Sequence, residues 1–168
     1  MDPFTENHFW GQINNQEKTY RFQIDTEITE TWNHGKSEGL LLGGCLSMMS
    51  HLLGTPYSPD YSGSILFIED VGEEAYRTDR YLAQLKQAGI FNKINGIILG
   101  NFIEPDINVQ KDSFTIKQVL AQYFATADYP VIYNFPYGHG DLKFTMPIGS
   151  TALLDTKNKT LSVSNCFY

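Results

Sequence analysis

The sequence predicts an α/β domain with central, mostly parallel strands, crossover helices and a flanking antiparallel hairpin. Three observations carry this. Apolar runs of strand length at 64–68, 95–99 and 130–133 alternate with helical spacing at 73–88 and 114–124. Such strand–helix–strand alternation implies parallel crossovers. Towards the ends of the chain, 18–25 and the pair 151–154 and 160–163 alternate apolar with polar residues, the pattern of half-buried antiparallel strands.

The elements follow in order. Met1-Asp2-Pro3-Phe4-Thr5 is read as a cloning scar and 6–17 as a linker or loop, so the domain is taken to run over 18–168. In 18–25, Tyr20, Phe22 and Ile24 share one face of a strand. Residues 26–36 are polar and carry no assignment. A short buried strand at 38–42 ends at Gly43-Gly44, expected to be a tight turn. Residues 45–53 have helical spacing and Gly54 as a stop. The strand 64–68 leads to a helix over 73–88 with Glu73 and Glu74 in its first turn, where the dipole favours anions. Gly89 follows its end. The helix 114–124 puts Ile116, Val119, Leu120 and Tyr123 on one face. The last two strands close around 155–159 as a hairpin.

Composition narrows the function. Of the 168 residues 42% are hydrophobic and 14% aromatic, which makes the chain globular rather than disordered. A net charge of −7 argues against a nucleic-acid partner, which needs a basic face. Two cysteines, Cys45 and Cys166, make neither a disulfide framework nor a closed zinc site, and each is read as a buried thiol. No apolar run has membrane-spanning length and the first twenty residues lack a signal peptide, so the expectation is a cytoplasmic protein with no membrane partner.

Two residues stand out chemically. Glu69 directly follows the apolar run 64–68, and His139 follows 130–134 through a short loop. In α/β sheets, ligands and chemistry collect beyond the carboxyl ends of the strands. A carboxylate and an imidazole there are two members of a catalytic triad. Each has a plain alternative, a capping or solvated carboxylate and a turn histidine. The nucleophile is harder to find. There is no G-x-S-x-G turn. Ser47 falls inside a helix after a double glycine, and Cys45 reads as a small packed residue. His8, His34 and His51 have no metal-ligand spacing, and Arg77 and Arg80 read as partners in salt bridges along their helix.

Several stretches together resemble the LD-carboxypeptidase family. They are Leu42-Gly43-Gly44-Cys45-Leu46-Ser47, Leu53-Gly54-Thr55-Pro56-Tyr57, Ile65-Leu66-Phe67-Ile68-Glu69-Asp70-Val71-Gly72-Glu73 and Tyr76-Arg77-Thr78-Asp79-Arg80. Gly96 to Phe102, the Gly138-His139 loop and Met146-Pro147-Ile148-Gly149 continue the match in order. The family holds murein tetrapeptide carboxypeptidases, which cleave the bond to a terminal D-alanine, and self-immunity peptidases against microcin C-type peptidyl nucleotides. Both are Ser-Glu-His hydrolases, with the serine in an N-terminal domain. The glutamate and histidine lie in a C-terminal domain of swivelling β/β/α type.

The resemblance implies that this chain is that C-terminal domain, with Glu69 the triad carboxylate and His139 the general base. It further implies that the N-terminal nucleophile domain is a partner outside the chain, so that the isolated chain is inactive. A murein peptide would be the substrate, with a peptidyl nucleotide as the alternative. A free-standing domain that binds peptide or protein is the non-enzymatic alternative. Homodimers are implied, and no cofactor or metal. The family has Asn where this chain has Cys45, which makes Cys45 a candidate substrate contact of altered chemistry, since a thiol does not replace an amide donor and acceptor.

Overall fold

The structure is a computed structural model that describes residues 2–24, 27, 29–105 and 113–164. Cys166 lies outside the described residues. Apolar content concentrates in β4 (Ile65–Val71), where Ile65, Leu66, Phe67 and Ile68 are fully buried. Successive strand residues point to opposite faces, so a continuous apolar run needs cover on both sides. The two covers are different. Leu66 and Ile68 pack against α2 (Leu46–Leu52), α3 (Ala75–Gln87) and α4 (Ile116–Phe124) through Leu46, Leu82, Leu85, Val119 and Leu120. Ile65 and Phe67 belong to a second cluster with Phe22, Phe135, Leu154 and Leu161.

Around β4, the strands β3 (Lys36–Cys45), β5 (Gly96–Ile103) and β6 (Val131–Tyr133) run parallel. Each connection carries one of the helices, as the alternation predicts. The antiparallel flank holds β1 (Thr19–Gln23), β7 (Thr151–Asp155) and β8 (Thr160–Ser164). With β2 (Glu30–Asn33), the sheet order is β1-β8-β7-β3-β4-β5-β6-β2. β3 belongs to both parts: Lys36 to Leu40 pair with β7, and Leu41 to Cys45 pair with β4. The second cluster therefore lies between an antiparallel and a parallel layer, and helices cover the outer face of the latter. These are the three layers of the expected β/β/α arrangement. No helix of the described residues is long and apolar enough to cross a membrane.

Two expectations are corrected and one unassigned segment is filled. The segment read as scar and loop contains a helix, α1 (Pro3–Ile13). Asp2 caps it through Phe4 N, and Pro3 sits at the first helical position, where its missing N–H costs nothing. Phe4 and His8 close over Phe22 and Phe144, and Gln12 donates to the Thr145 carbonyl at 2.6 Å. Gly43-Gly44 is not a turn but the end of β3. Gly43 has φ +152, and a Cβ there would run into the Phe67 carbonyl of the neighbouring strand, so glycine allows close pairing. Residues 30–33, left without assignment, form the edge strand β2, bonded to β6. Elsewhere the differences are of one to four residues, the largest where β4 and β5 run on to Val71 and Ile103, beyond the apolar runs that predict them. The helix at 73–88 begins at Ala75, which leaves Glu73 and Glu74 just before its first turn.

Candidate active site

Glu69 lies inside β4, not at its tip, at a register shift between Ile68 and Asp70. The bulge re-aims the side chains on either side of it. Glu69 follows Ile65 and Phe67 onto the face of the second cluster, and its side chain is 4% exposed. Asp70 faces the helices and is equally buried.

His139 meets Glu69 there. Its Nδ1 lies 2.7 Å from Glu69 Oε2, across a sequence separation of 70 residues. A carboxylate oxygen only accepts, so Nδ1 donates and the neutral ring keeps its Nε2 lone pair on the far edge. The His139 side chain is 55% exposed, so the imidazole bridges a buried charge and open solvent. An isolated buried carboxylate costs several kcal/mol, and the imidazole is the group that offsets this.

The loop before His139 is fitted to Glu69. After β6 the chain continues along β5: Phe135 N donates to the Leu99 carbonyl at 2.9 Å, and Asn101 N donates to the Tyr137 carbonyl at 2.8 Å. Two glycines make the fit possible. A Cβ on Gly100 would stand 2.7 Å from the Tyr137 carbonyl oxygen, and one on Gly138 would stand 2.7 Å from Glu69 Oε2. Gly138 also has φ +108, which side-chain-bearing residues rarely adopt.

Tyr137 packs edge-on to Phe67 at 5.0 Å. Its phenol is pushed up to about 12, first by burial and then by the nearby Glu69 and Cys45. It is therefore a neutral hydroxyl at neutral pH. Sequence reasoning passed over Tyr137, since a tyrosine in a Pro-Tyr-Gly loop carries no distinct signal.

Cys45 is the parallel neighbour of Glu69 in the β3–β4 register. Its thiol is partly exposed and points to Ser47 Oγ at 3.1 Å and Asp70 Oδ1 at 3.4 Å. Ser47 is turned the same way: its N donates to Asp70 Oδ2 at 2.8 Å and its hydroxyl to Asp70 Oδ1 at 3.4 Å. Asp70 thus caps α2 from the neighbouring strand, because Cys45 at the N-cap position makes no capping bond. Among the described residues, the ring of His139 bonds to Glu69 and not to Ser47 or Cys45. Glu73 and Glu74 pair with Arg77 at 3.7 and 3.9 Å, as expected, whereas Arg80 lies over the Tyr76 ring at 5.0 Å. No group of three or more His, Cys, Asp or Glu among the described residues could hold a metal ion.

Residues 38–154 match the family described as LD-carboxypeptidase C-terminal domain. A Bacillus subtilis protein named "Probable murein peptide carboxypeptidase" is 36% identical over 162 residues, covering 95% of this chain and 50% of its own length. The murein tetrapeptide carboxypeptidase of Pseudomonas aeruginosa is 35% identical over 121 residues, covering 70% of this chain and 38% of its own. Among solved structures, the muramoyltetrapeptide carboxypeptidase of Oxalobacter formigenes superposes with a TM-score of 0.82 at 32% identity, covering 98% of this chain and 55% of that one. The chain thus spans half the length, or less, of these two curated relatives. By the extent of these matches, and with the three-layer fold already described, the chain belongs to the LD-carboxypeptidase family through that family's C-terminal domain.

Proposed function

We propose that Glu69 and His139 are the carboxylate and general base of a Ser-Glu-His hydrolase that releases the terminal D-alanine of murein tetrapeptide. The serine comes from an N-terminal domain of the parent polypeptide. The observation that carries this reading is the 2.7 Å bond between a solvent-facing imidazole and a buried carboxylate. The relatives' names support the peptide substrate.

The chemistry then runs through His139 Nε2. It takes the serine proton as the oxygen attacks the carbonyl carbon of the bond to D-alanine. Glu69 holds the ring through Nδ1 and stabilises the imidazolium, an effect strengthened by the low-dielectric surroundings of its carboxylate. The Nε2 proton passes to the departing D-alanine amine as the C–N bond breaks. Water then attacks the acyl-serine, with His139 again as base. Cys45, level with Glu69 on the next strand, is a substrate contact in this reading.

The test is D-alanine release. The parent polypeptide should turn over murein tetrapeptide, and His139→Ala or Glu69→Gln should lower kcat by about 10⁴-fold or more. The isolated 168-residue chain should release none. Turnover by the isolated chain, abolished by Glu69→Ala, overturns the two-domain reading and returns Ser47 and Cys45 to consideration. Preferential cleavage of a peptidyl nucleotide by the parent changes the substrate. The reading also expects a cytoplasmic homodimer, with exposed Met48, Phe114 and Ile148 among the apolar residues available to a contact. A monomer by light scattering at high concentration removes the dimer.

A further inference from the structure

Asparagine is disfavoured in strands, yet Asn101 sits within β5 beside the His139 loop. Its contacts reach that loop at three points. The backbone N–H donates to the Tyr137 carbonyl at 2.8 Å, two residues before His139. The side-chain amide donates to Asn134 Oδ1 at 3.0 Å, where the loop leaves β6 with φ +56. The side-chain oxygen lies against Gly140, so closely that a Cβ on that glycine would overlap it. One residue therefore grips the loop at its start, just before the histidine and just after it.

The plain alternative is a polar strand residue satisfied by a convenient neighbour. It explains the bond to Asn134, but not why the oxygen of the same side chain fills the space beside Gly140 that a Cβ there would occupy. Nor does it explain why the backbone and side chain of one residue converge on the seven-residue segment 134–140. His139 itself has little to hold it: its side chain is more than half exposed, and its one hydrogen bond among the described residues goes to Glu69. An exposed imidazole on a loop loses its orientation unless the backbone beneath is fixed.

We infer that Asn101 is a positioning residue that fixes the His139 loop so that Nδ1 stays on Glu69. Its backbone bond survives any substitution other than proline, so the side chain is what a variant tests. The inference rests on the reading of Glu69 and His139 as a working pair, but not on the substrate.

The experiment is nitrogen-15 NMR of the imidazoles in the isolated chain. Wild type should show His139 with the proton on Nδ1 and that proton protected from exchange by Glu69. In Asn101→Ala, with thermal unfolding still cooperative, the Nδ1 share should fall toward that of a free imidazole, and the protected proton should be lost. An unchanged signature in Asn101→Ala overturns the inference. If Asn101→Ala does not fold, Gly140→Ala disturbs the same contact from the loop side, and an unchanged His139 signature in that variant overturns it equally. A wild-type chain without the Nδ1 signature defeats the pairing of Glu69 and His139 itself. A wild-type signature lost in Asn101→Ala, in a parent polypeptide that cleaves no murein peptide, defeats the proposed function and leaves the role of Asn101 standing.

Discussion

Replacing Gly138 with alanine tests whether the loop is fitted to Glu69 as closely as the geometry implies. The new Cβ would stand 2.7 Å from Glu69 Oε2 and 2.9 Å from its Cβ and Cγ. The overlap reaches Glu69 Cβ and Cγ as well as the carboxylate tip, and the side chain is buried. Two penalties follow if the loop stays in place. A side chain at φ +108 costs about 2 kcal/mol of backbone strain. Overpacking against Glu69 costs about 2 kcal/mol more. At roughly 3 °C per kcal/mol for a chain of this size, Tm falls by about 12 °C. Gly149→Ala is the control. It has φ +84 but no atom within 4 Å of the added Cβ, so only the backbone penalty applies. Its Tm should fall by about 6 °C, half as much. If the loop lifts instead, the overpacking is relieved but the bond between His139 Nδ1 and Glu69 is lost, and the fall in Tm then comes from a buried carboxylate left unpaired. Calorimetry of both variants and the imidazole NMR spectrum separate the cases. Equal melting of the two variants, together with an unchanged His139 spectrum, refutes the fit.

Other expectations can be checked alongside. Tyr123, Tyr129 and Tyr137 are each raised from 10.0 to about 12, chiefly by burial. The folded state then keeps protons that the unfolded state releases, so stability is full below pH 10 and declines as pH climbs towards 12. Denaturant midpoints across that range test it, and a flat profile counts against the burial of these phenols. Gly43→Ala drives a Cβ into the Phe67 carbonyl between paired strands and should cost more than about 4 kcal/mol, read as a collapse of the urea midpoint. Removal of residues 2–13 uncovers Phe22 and Phe144 and deletes the Gln12 bond, with an expected loss of about 2–3 kcal/mol. An unaltered midpoint would mean that α1 does not pack as described.

The parallel centre of the fold was legible because burial on both faces writes continuous apolar runs, as in Ile65 to Ile68. The terminal hairpin was legible because buried Ala152, Leu154, Leu161 and Val163 alternate with the more open Thr151, Leu153, Ser162 and Ser164. The missed elements lack such marks. The packing face of α1 includes His8 and Gln12, which lie where helical periodicity looks for apolar residues. Its Asp2-Pro3 start was a capping signal that could have been read. β2 is a polar edge strand whose partner, β6, comes about a hundred residues later. Gly43-Gly44 looks like a turn in sequence because a glycine needed for a neighbour's backbone is indistinguishable from one needed for its own. At the site, Glu69 and His139 stood out because each follows an apolar run. The bulge, the capping role of Asp70 and the grip of Asn101 depend on partners far away in the chain.

The sheet order has a consequence for how the molecule is completed. β1 pairs with β8, Thr19 opposite Ser164, so the outer edge closes only when the first and last strands of the described chain meet. Such a pairing carries the greatest loop-closure entropy in the fold and should be among the last contacts formed. Glu69 and His139 instead depend on β4, β5 and the loop after β6, an inner block whose last backbone bond comes from Phe144 N to the Pro136 carbonyl. A chain emerging from the ribosome could therefore bring the pair together before its final hairpin is made. In the finished protein, hydrogen exchange should open the β1–β8 edge without releasing the histidine from its carboxylate.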